Sequence, residues 1–169
     1  MAISKSWKIK KVVVGKPTPD NFEICSNELG DLKVGDVLTK TLFITVDPYL
    51  RGVMRRLPVG SIIPSQQVCK VVESKDVDFP VGTILLTRNG WCDYARINPK
   101  GLIQVSTGPR SIEIAPNIGD LSPSLLVGAC GMPGVTAYWG FLDICKVHLC
   151  EILGFRELLI FVFIIFKDL

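Results

Sequence analysis

Apolar and polar positions follow two different periods along this chain of 169 residues. From Trp7 to Val105 the pattern is that of strands and turns. Trp7–Val14 predicts a strand closed by Gly15 and Pro17, and Phe22–Ser26 predicts a short second one. Leu38–Val46 alternates, with Leu38, Leu42, Ile44 and Val46 on one side and Thr39, Thr41 and Thr45 on the other, which is the period of a half-buried strand. Asp31–Asp36 supplies the turn before it. Val68–Glu73, Gly82–Thr87, Trp91–Ile97 and Leu102–Val105 continue the series, separated by Pro80, Asn89-Gly90 and Pro99. Short strands punctuated in this way predict a small barrel-like β domain, so the expected class is mainly β with some α.

The period changes near Asp120. Ser122-Pro123 reads as an N-cap followed by proline at the first helical position, leading into Leu125–Ala129. Beyond the Gly131-Met132-Pro133-Gly134 break, Val135, Tyr138, Trp139 and Leu142 recur at helical spacing and predict an amphipathic helix ending near Cys145. The expected organisation is therefore a β domain over 1–120, helices over 121–147 and a tail of foreign composition over 148–169.

That tail holds four of the eight phenylalanines. Its uninterrupted apolar run, Leu158–Phe166, spans about 13–14 Å as a helix at ~1.5 Å per residue, against a hydrocarbon core of about 30 Å. Sliding the span back to include Arg156 costs about 2.5–3.5 kcal/mol near the bilayer centre. No membrane span is expected. As a strand the same run aggregates unless covered.

Charge and cysteines narrow the function classes. A net charge of +3 from 19 basic and 16 acidic residues, scattered along the chain, excludes a nucleic-acid binder. The start, Met1–Lys11, carries Lys5, Lys8, Lys10 and Lys11 without the apolar core of a signal peptide. The six cysteines, Cys25, Cys69, Cys92, Cys130, Cys145 and Cys150, are then expected as free, mostly buried thiols in a reducing cytoplasm. Zinc needs clustered Cys and His, whereas Cys145 and Cys150 have no second pair, and no metal is expected. His148 is the sole histidine and lies in an irregular stretch, a poor base for triad chemistry.

Three ordered motifs carry a family resemblance: Thr45-Val46-Asp47-Pro48-Tyr49-Leu50-Arg51, then Gln66-Gln67-Val68-Cys69-Lys70-Val71-Val72-Glu73-Ser74, then Gly131-Met132-Pro133-Gly134-Val135-Thr136-Ala137-Tyr138-Trp139-Gly140. From about Trp7 to Val147 the chain resembles the prostaglandin reductases, in the zinc-independent branch of the medium-chain dehydrogenase/reductase superfamily. The resemblance implies a GroES-like β-barrel domain and a cytoplasmic, usually homodimeric enzyme. It implies NADPH-dependent reduction of the C=C bond of α,β-unsaturated ketones and aldehydes, among them 15-oxo-prostaglandins and alkenals.

The chain also departs from that family. A dinucleotide-binding unit needs a strand, a glycine-rich turn and a helix, because glycine lets the backbone approach the pyrophosphate. No such unit is present. Gly128, Gly131 and Gly134 are spaced by three and lack a preceding strand. The expectation is a truncated product, a splice form, a frameshift or a gene model reading into intron, that carries the entry helices of a missing Rossmann domain.

The resemblance places Tyr49 near nicotinamide and substrate, the alternative being a packing tyrosine at a strand end. Arg56, in a cluster with Arg51 and Arg55, is a candidate for the acid end of a lipid substrate, since arginine binds carboxylates bidentately; a solvated surface is the alternative. Met132 and Thr136 are the candidate cofactor-cleft residues. Tyr138 and Trp91 are read as core and Asp47 as a turn residue, and no catalytic residue is expected in this chain. Two rival readings stand beside the enzyme: a non-catalytic GroES-like module that pairs with full-length subunits, and a membrane-associated protein resting on the tail alone.

Overall fold

The computed structural model describes residues 2–100 and 112–146, together with the backbone of 103–105 and 108–110. They fall into two compact units, Met1–Ile118 and Gly119–Leu169.

The first unit is built of antiparallel strands. In chain order these are β1 (Ile3–Ile9), β2 (Phe22–Glu28), β3 (Val37–Ile44), β4 (Gln67–Ser74), β5 (Ile84–Thr87), β6 (Tyr94–Ile97), β7 (Ile103–Val105), β8 (Gly108–Arg110) and β9 (Glu113–Ile114), with one short helix, α1 (Leu50–Met54). A five-stranded sheet runs β6-β3-β4-β5-β9, while β1-β2 and β7-β8 form separate pairs. The segment before β6 ties the β1-β2 pair to the sheet. Trp7 N–H donates to Trp91 O at 2.8 Å and Asp93 N–H to Lys5 O at 3.0 Å, while Thr41 N–H in β3 donates to Asp93 O at 2.8 Å.

Two of the strands that differ from the sequence reading, β1 and β3, do so for one reason. β1 begins at Ile3 and ends at Ile9, upstream of the expected Trp7–Val14. Before the buried Ile9, its inward positions are serines: Ser4 and Ser6 are buried, and Ser4 Oγ donates to Tyr94 O at 2.6 Å. In β3 the threonine side is the buried one. Thr39 is fully buried and Thr45 is 6% exposed, while Leu42, Ile44 and Val46 are exposed. The interior beneath β3 is polar and hydrogen-bonded, so a threonine whose hydroxyl finds a partner is buried at little cost; Thr39 Oγ1 donates to Ala95 O at 3.1 Å.

Apolar packing divides into two clusters. Ile9, Val13, Leu50, Met54 and Ile63 form one, with Phe22, Leu57 and Trp91 against it. Val37, Val71, Leu85 and Ile97 form the other. Gln67 is fully buried in the polar part of the interior. Its amide nitrogen donates to Gly90 O, and its carbonyl accepts from Thr87 Oγ1 at 3.2 Å. Gly90 is required there: its φ is +84°, and a Cβ would stand 2.7 Å from Ile63 O.

In the second unit, Ser122 caps a 3-10 turn over Pro123–Val127 by accepting from Ser124 N–H, as its sequence signals predict. Helix α2 (Met132–Tyr138) starts before Gly134, not after it, and continues into a π-helical turn over Trp139–Ile144. Pro133 fits the first turn because its missing N–H is not needed there. Gly134 sits inside the helix because a Cβ would collide with Ala129 O. Neither segment buries a residue. Val135, Leu142 and Ile144 are exposed; so is Tyr138, read from sequence as core, which is 59% exposed and packs edge-on against Trp139 at 5.9 Å.

Among the described cysteines, Cys69 alone is buried; Cys25 and Cys92 are intermediate, and Cys130 and Cys145 exposed, which corrects the expectation of mostly buried thiols. No helix among the described residues is long and apolar enough to cross a membrane. His148, Cys150 and the Leu158–Phe166 run lie outside the described residues.

Candidate functional site

Tyr49 stands between two anchored points of the chain. On its N-terminal side, Thr45 is held by three groups. Its N–H donates to Ser65 Oγ at 3.1 Å and to Gln66 O at 3.0 Å. Its carbonyl accepts from Ser65 Oγ at 2.9 Å and from the Trp91 indole N–H at 3.2 Å. On the C-terminal side, Leu50 is 2% exposed in the first apolar cluster. The intervening turn closes through Leu50 N–H to Asp47 O at 3.0 Å and Gly52 N–H to Tyr49 O at 2.9 Å. Asp47 therefore has the turn role read from its sequence, and Pro48 stiffens the turn by fixing φ. Tyr49 itself is 47% exposed, a phenol presented on the surface of a buried frame.

Arg56 follows α1 and is exposed, as are Arg51 and Arg55. The Arg55 guanidinium donates to Gly15 O at 3.4 Å. Tyr49 and Arg56 thus flank one five-residue helix whose inner face, Leu50 and Met54, is buried.

Along the outer face of β3 runs an open groove of about 390 Å³. Trp7, Ile24, Leu42, Ile44 and Trp91 give it apolar walls, with Lys5 and Asp93 among its polar lining. Trp91 belongs both to this groove and to the anchor at Thr45. The exposed leucine side of β3, unexpected in a strand read as half-buried, is one wall of that groove.

Two thiols line the polar interior beside the groove. Burial raises the pKa of the Cys69 thiol, and bonds from Thr87, Thr41 and Thr39 oppose this only in part. Burial likewise pushes the Cys92 thiol up to about 11, against a lowering hydrogen bond from Gln67. Neither is a nucleophile at neutral pH. Among the described residues no three Cys, His, Asp or Glu side chains gather to hold a metal.

The other two sequence candidates lie in the second unit. Met132 opens α2 and is 43% exposed. Thr136, one turn on and also exposed, donates its hydroxyl to Met132 O at 2.8 Å. The two therefore share one face of the helix, with the threonine donor already used. The glycines around them make no phosphate cradle. A Cβ at Gly131 would stand 2.6 Å from Leu126 O, and one at Gly134 would meet Ala129 O. These glycines let the chain's own backbone pack closely, which leaves no room at them for a pyrophosphate.

Sequence reading located Tyr49, Arg56, Met132 and Thr136 through their motifs. It missed Ser65 and the indole N–H of Trp91, because both act across long sequence separations that no local pattern reports.

Residues 5–105 match the family described as the N-terminal domain of oxidoreductase. Prostaglandin reductase 1 of Sus scrofa is 44% identical over 146 residues, which are 86% of this chain and 42% of that protein. The NADPH-dependent curcumin reductase of Escherichia coli is 31% identical over 148 residues, 83% of this chain and 40% of that protein. Among solved structures, CurA from Vibrio vulnificus in complex with NADPH superposes with a TM-score of 0.66 at 31% identity, over 82% of this chain and 40% of that one. The chain thus spans about two fifths of the length of the relatives it matches. With both apolar clusters and the Tyr49 turn inside the matched span, the chain belongs to the oxidoreductase family that this N-terminal domain defines, and within it is similar to the prostaglandin reductases.

Proposed function

We propose that this chain carries the substrate-facing β module of an NADPH-dependent reductase of the C=C bond of α,β-unsaturated ketones and aldehydes, 15-oxo-prostaglandins and alkenals among them. The observation that carries this reading is Tyr49: an exposed phenol on a turn anchored at both ends, within a stretch similar to the prostaglandin reductases. A fixed phenol beside an enone supplies a hydrogen-bond donor to the carbonyl oxygen, where charge develops during reduction. Arg56 then takes the carboxylate of an acidic lipid substrate, and the apolar groove of β3 is surface suited to a hydrocarbon chain. Met132 and Thr136 face the cofactor. NADPH supplies the hydride in this reaction class; the described residues of this chain bind and orient the enone. A cytoplasmic setting agrees with five free cysteines among the described residues.

A second reading is a non-catalytic module that pairs with longer reductase subunits or with its own copies. The exposed Val135, Tyr138, Trp139 and Leu142 favour it, since apolar side chains at helical spacing ordinarily meet a partner surface. Titration with NADPH, followed by nicotinamide fluorescence with and without a medium-chain enone, separates the two. Saturable micromolar binding with NADPH consumption is the result expected of the enzyme. Absence of saturation, together with co-elution with a full-length prostaglandin reductase, would establish the second reading.

A further inference from the structure

We propose that Ser65 is a positioning residue for substrate: it fixes Thr45 and thereby sets where the Tyr49 phenol stands. The inference rests on the reading of Tyr49 as the enone-facing residue. Ser65 is 3% exposed and Thr45 6%. The Ser65 hydroxyl accepts from Thr45 N–H at 3.1 Å, stands 3.2 Å from Thr45 Oγ1, and has its one proton within reach of both Thr45 O at 2.9 Å and Gln66 O at 2.8 Å. One side chain thus lies within hydrogen-bond reach of both main-chain groups of the residue that follows β3 and leads into the Tyr49 turn. The Trp91 indole reinforces the same carbonyl at 3.2 Å.

The geometry distinguishes positioning from general support. β3 and β4 pair out to Ile44 and Gln67, and Thr45 N–H bonds Gln66 O just beyond them, so the strand pairing does not need Ser65. What Ser65 adds is restraint on the N-terminal side of the turn that Leu50 N–H to Asp47 O, Arg51 N–H to Pro48 O and Gly52 N–H to Tyr49 O close on the other side. A buried neutral hydrogen bond is worth about 0.5–1.5 kcal/mol net, enough to shift a local equilibrium about two- to tenfold. Beyond Tyr49 the chain is held by the buried Leu50 and Met54, so a displacement of Thr45 is transmitted through the turn to Tyr49.

The test is Ser65→Ala in the full chain, read in two ways. Hydrogen exchange at the Thr45 and Leu50 amides is expected to quicken about two- to tenfold, with the β4 and β5 amides unchanged and the Tyr49 ring resonances displaced. Affinity for a medium-chain enone, from the shift of those resonances, is expected to fall by a similar factor. Ser65→Thr, which keeps the hydroxyl, restores both. Thr83→Ala removes a comparable bond to Pro80 O, 2.7 Å long, at a distant turn and leaves both readings at wild-type values. Should Ser65→Ala fail to fold, Trp91→Phe removes the other donor to Thr45 O and is read by amide exchange and the Tyr49 ring resonances, because Trp91 also lines the groove. Wild-type exchange in the variant overturns the proposal, as does altered exchange with unaltered enone affinity. If the wild-type chain binds no enone, the substrate role of Tyr49 fails, and the exchange data still decide whether Ser65 holds the turn.

Discussion

The first unit hides polar side chains and the second displays apolar ones. In the β unit, Thr39, Ser65, Gln67 and Thr87 are all nearly inaccessible, and hydrogen bonds between strands and loops satisfy them. In the second, Val135, Tyr138, Trp139, Leu142 and Ile144 are each more than half exposed. Burial of a polar group is tolerable when its partners are in place, and the β unit provides them internally. Apolar side chains in water offer no such closure. The β unit has an interior of its own in which these polar groups are paired, while α2 and the turn after it bury no residue.

The sharpest way to break this contrast is to damage each side equally. Leu85→Ala, at a fully buried site of the second apolar cluster, is expected to destabilise the chain by about 2–5 kcal/mol in denaturant unfolding. A loss below about 1 kcal/mol would show that the interior is looser than drawn. Thiol chemistry gives the next largest difference. Cys92, with its pKa pushed up to about 11 chiefly by burial, should react with iodoacetamide at pH 8 on the order of a hundredfold more slowly than an ordinary cysteine. Cys130 and Cys145, both exposed, should label first, as peptide mapping will report. Equal labelling of all described thiols would contradict the sealed interior.

A smaller effect concerns the rim of the β unit, where Lys100 Nζ lies 3.1 Å from Asp76 and 2.5 Å from Asp78. The main-chain N–H of Asp78, then Lys100, hold the Asp76 carboxyl below its ordinary 3.8, against an opposing effect of burial. A depressed folded-state pKa contributes stability above the unfolded value and loses it as pH falls through the folded one. Asp78 and then Asp76 raise Lys100 above its ordinary 10.5, so its share is present below that value and is lost as pH climbs past it. Asp76→Asn should therefore flatten the fall in thermal stability below pH 3.8, leaving the neutral range nearly unchanged; an unaltered acid profile would remove the pair from the argument. The smallest change is expected in the second unit. Leu142→Ala, at a side chain 53% exposed, should move stability by no more than about 0.5 kcal/mol. A core-sized loss would mean that a partner covers this helix face in solution.

What could be read from sequence follows the range of the interactions involved. The Ser122-Pro123 helix start was legible because capping acts within one turn. The strand series was legible through its turns. The buried side of β3 was not, because its threonines are inward only by virtue of partners such as Ala95 and Cys69, from distant strands. Ser4 and Ser6 misplaced β1 in the same way. α1 escaped notice because five residues are too few to show a helical period. Tyr49 was legible through its motif, whereas the Ser65 hydroxyl that anchors its turn acts across 20 residues. The role of Gly134 emerged only with Ala129 packed against it.

The most direct test of Tyr49 as the substrate-facing residue of a rigid turn is an NMR titration of the chain with a medium-chain enone, following the Tyr49 ring. Saturable displacement of its resonances and of the adjoining Leu50 and Arg51 amides, the amide displacements abolished by Tyr49→Ala with the β sheet amides undisturbed, is the predicted result. Displacements scattered over the surface, or an identical titration of the Tyr49→Ala chain, would contradict it.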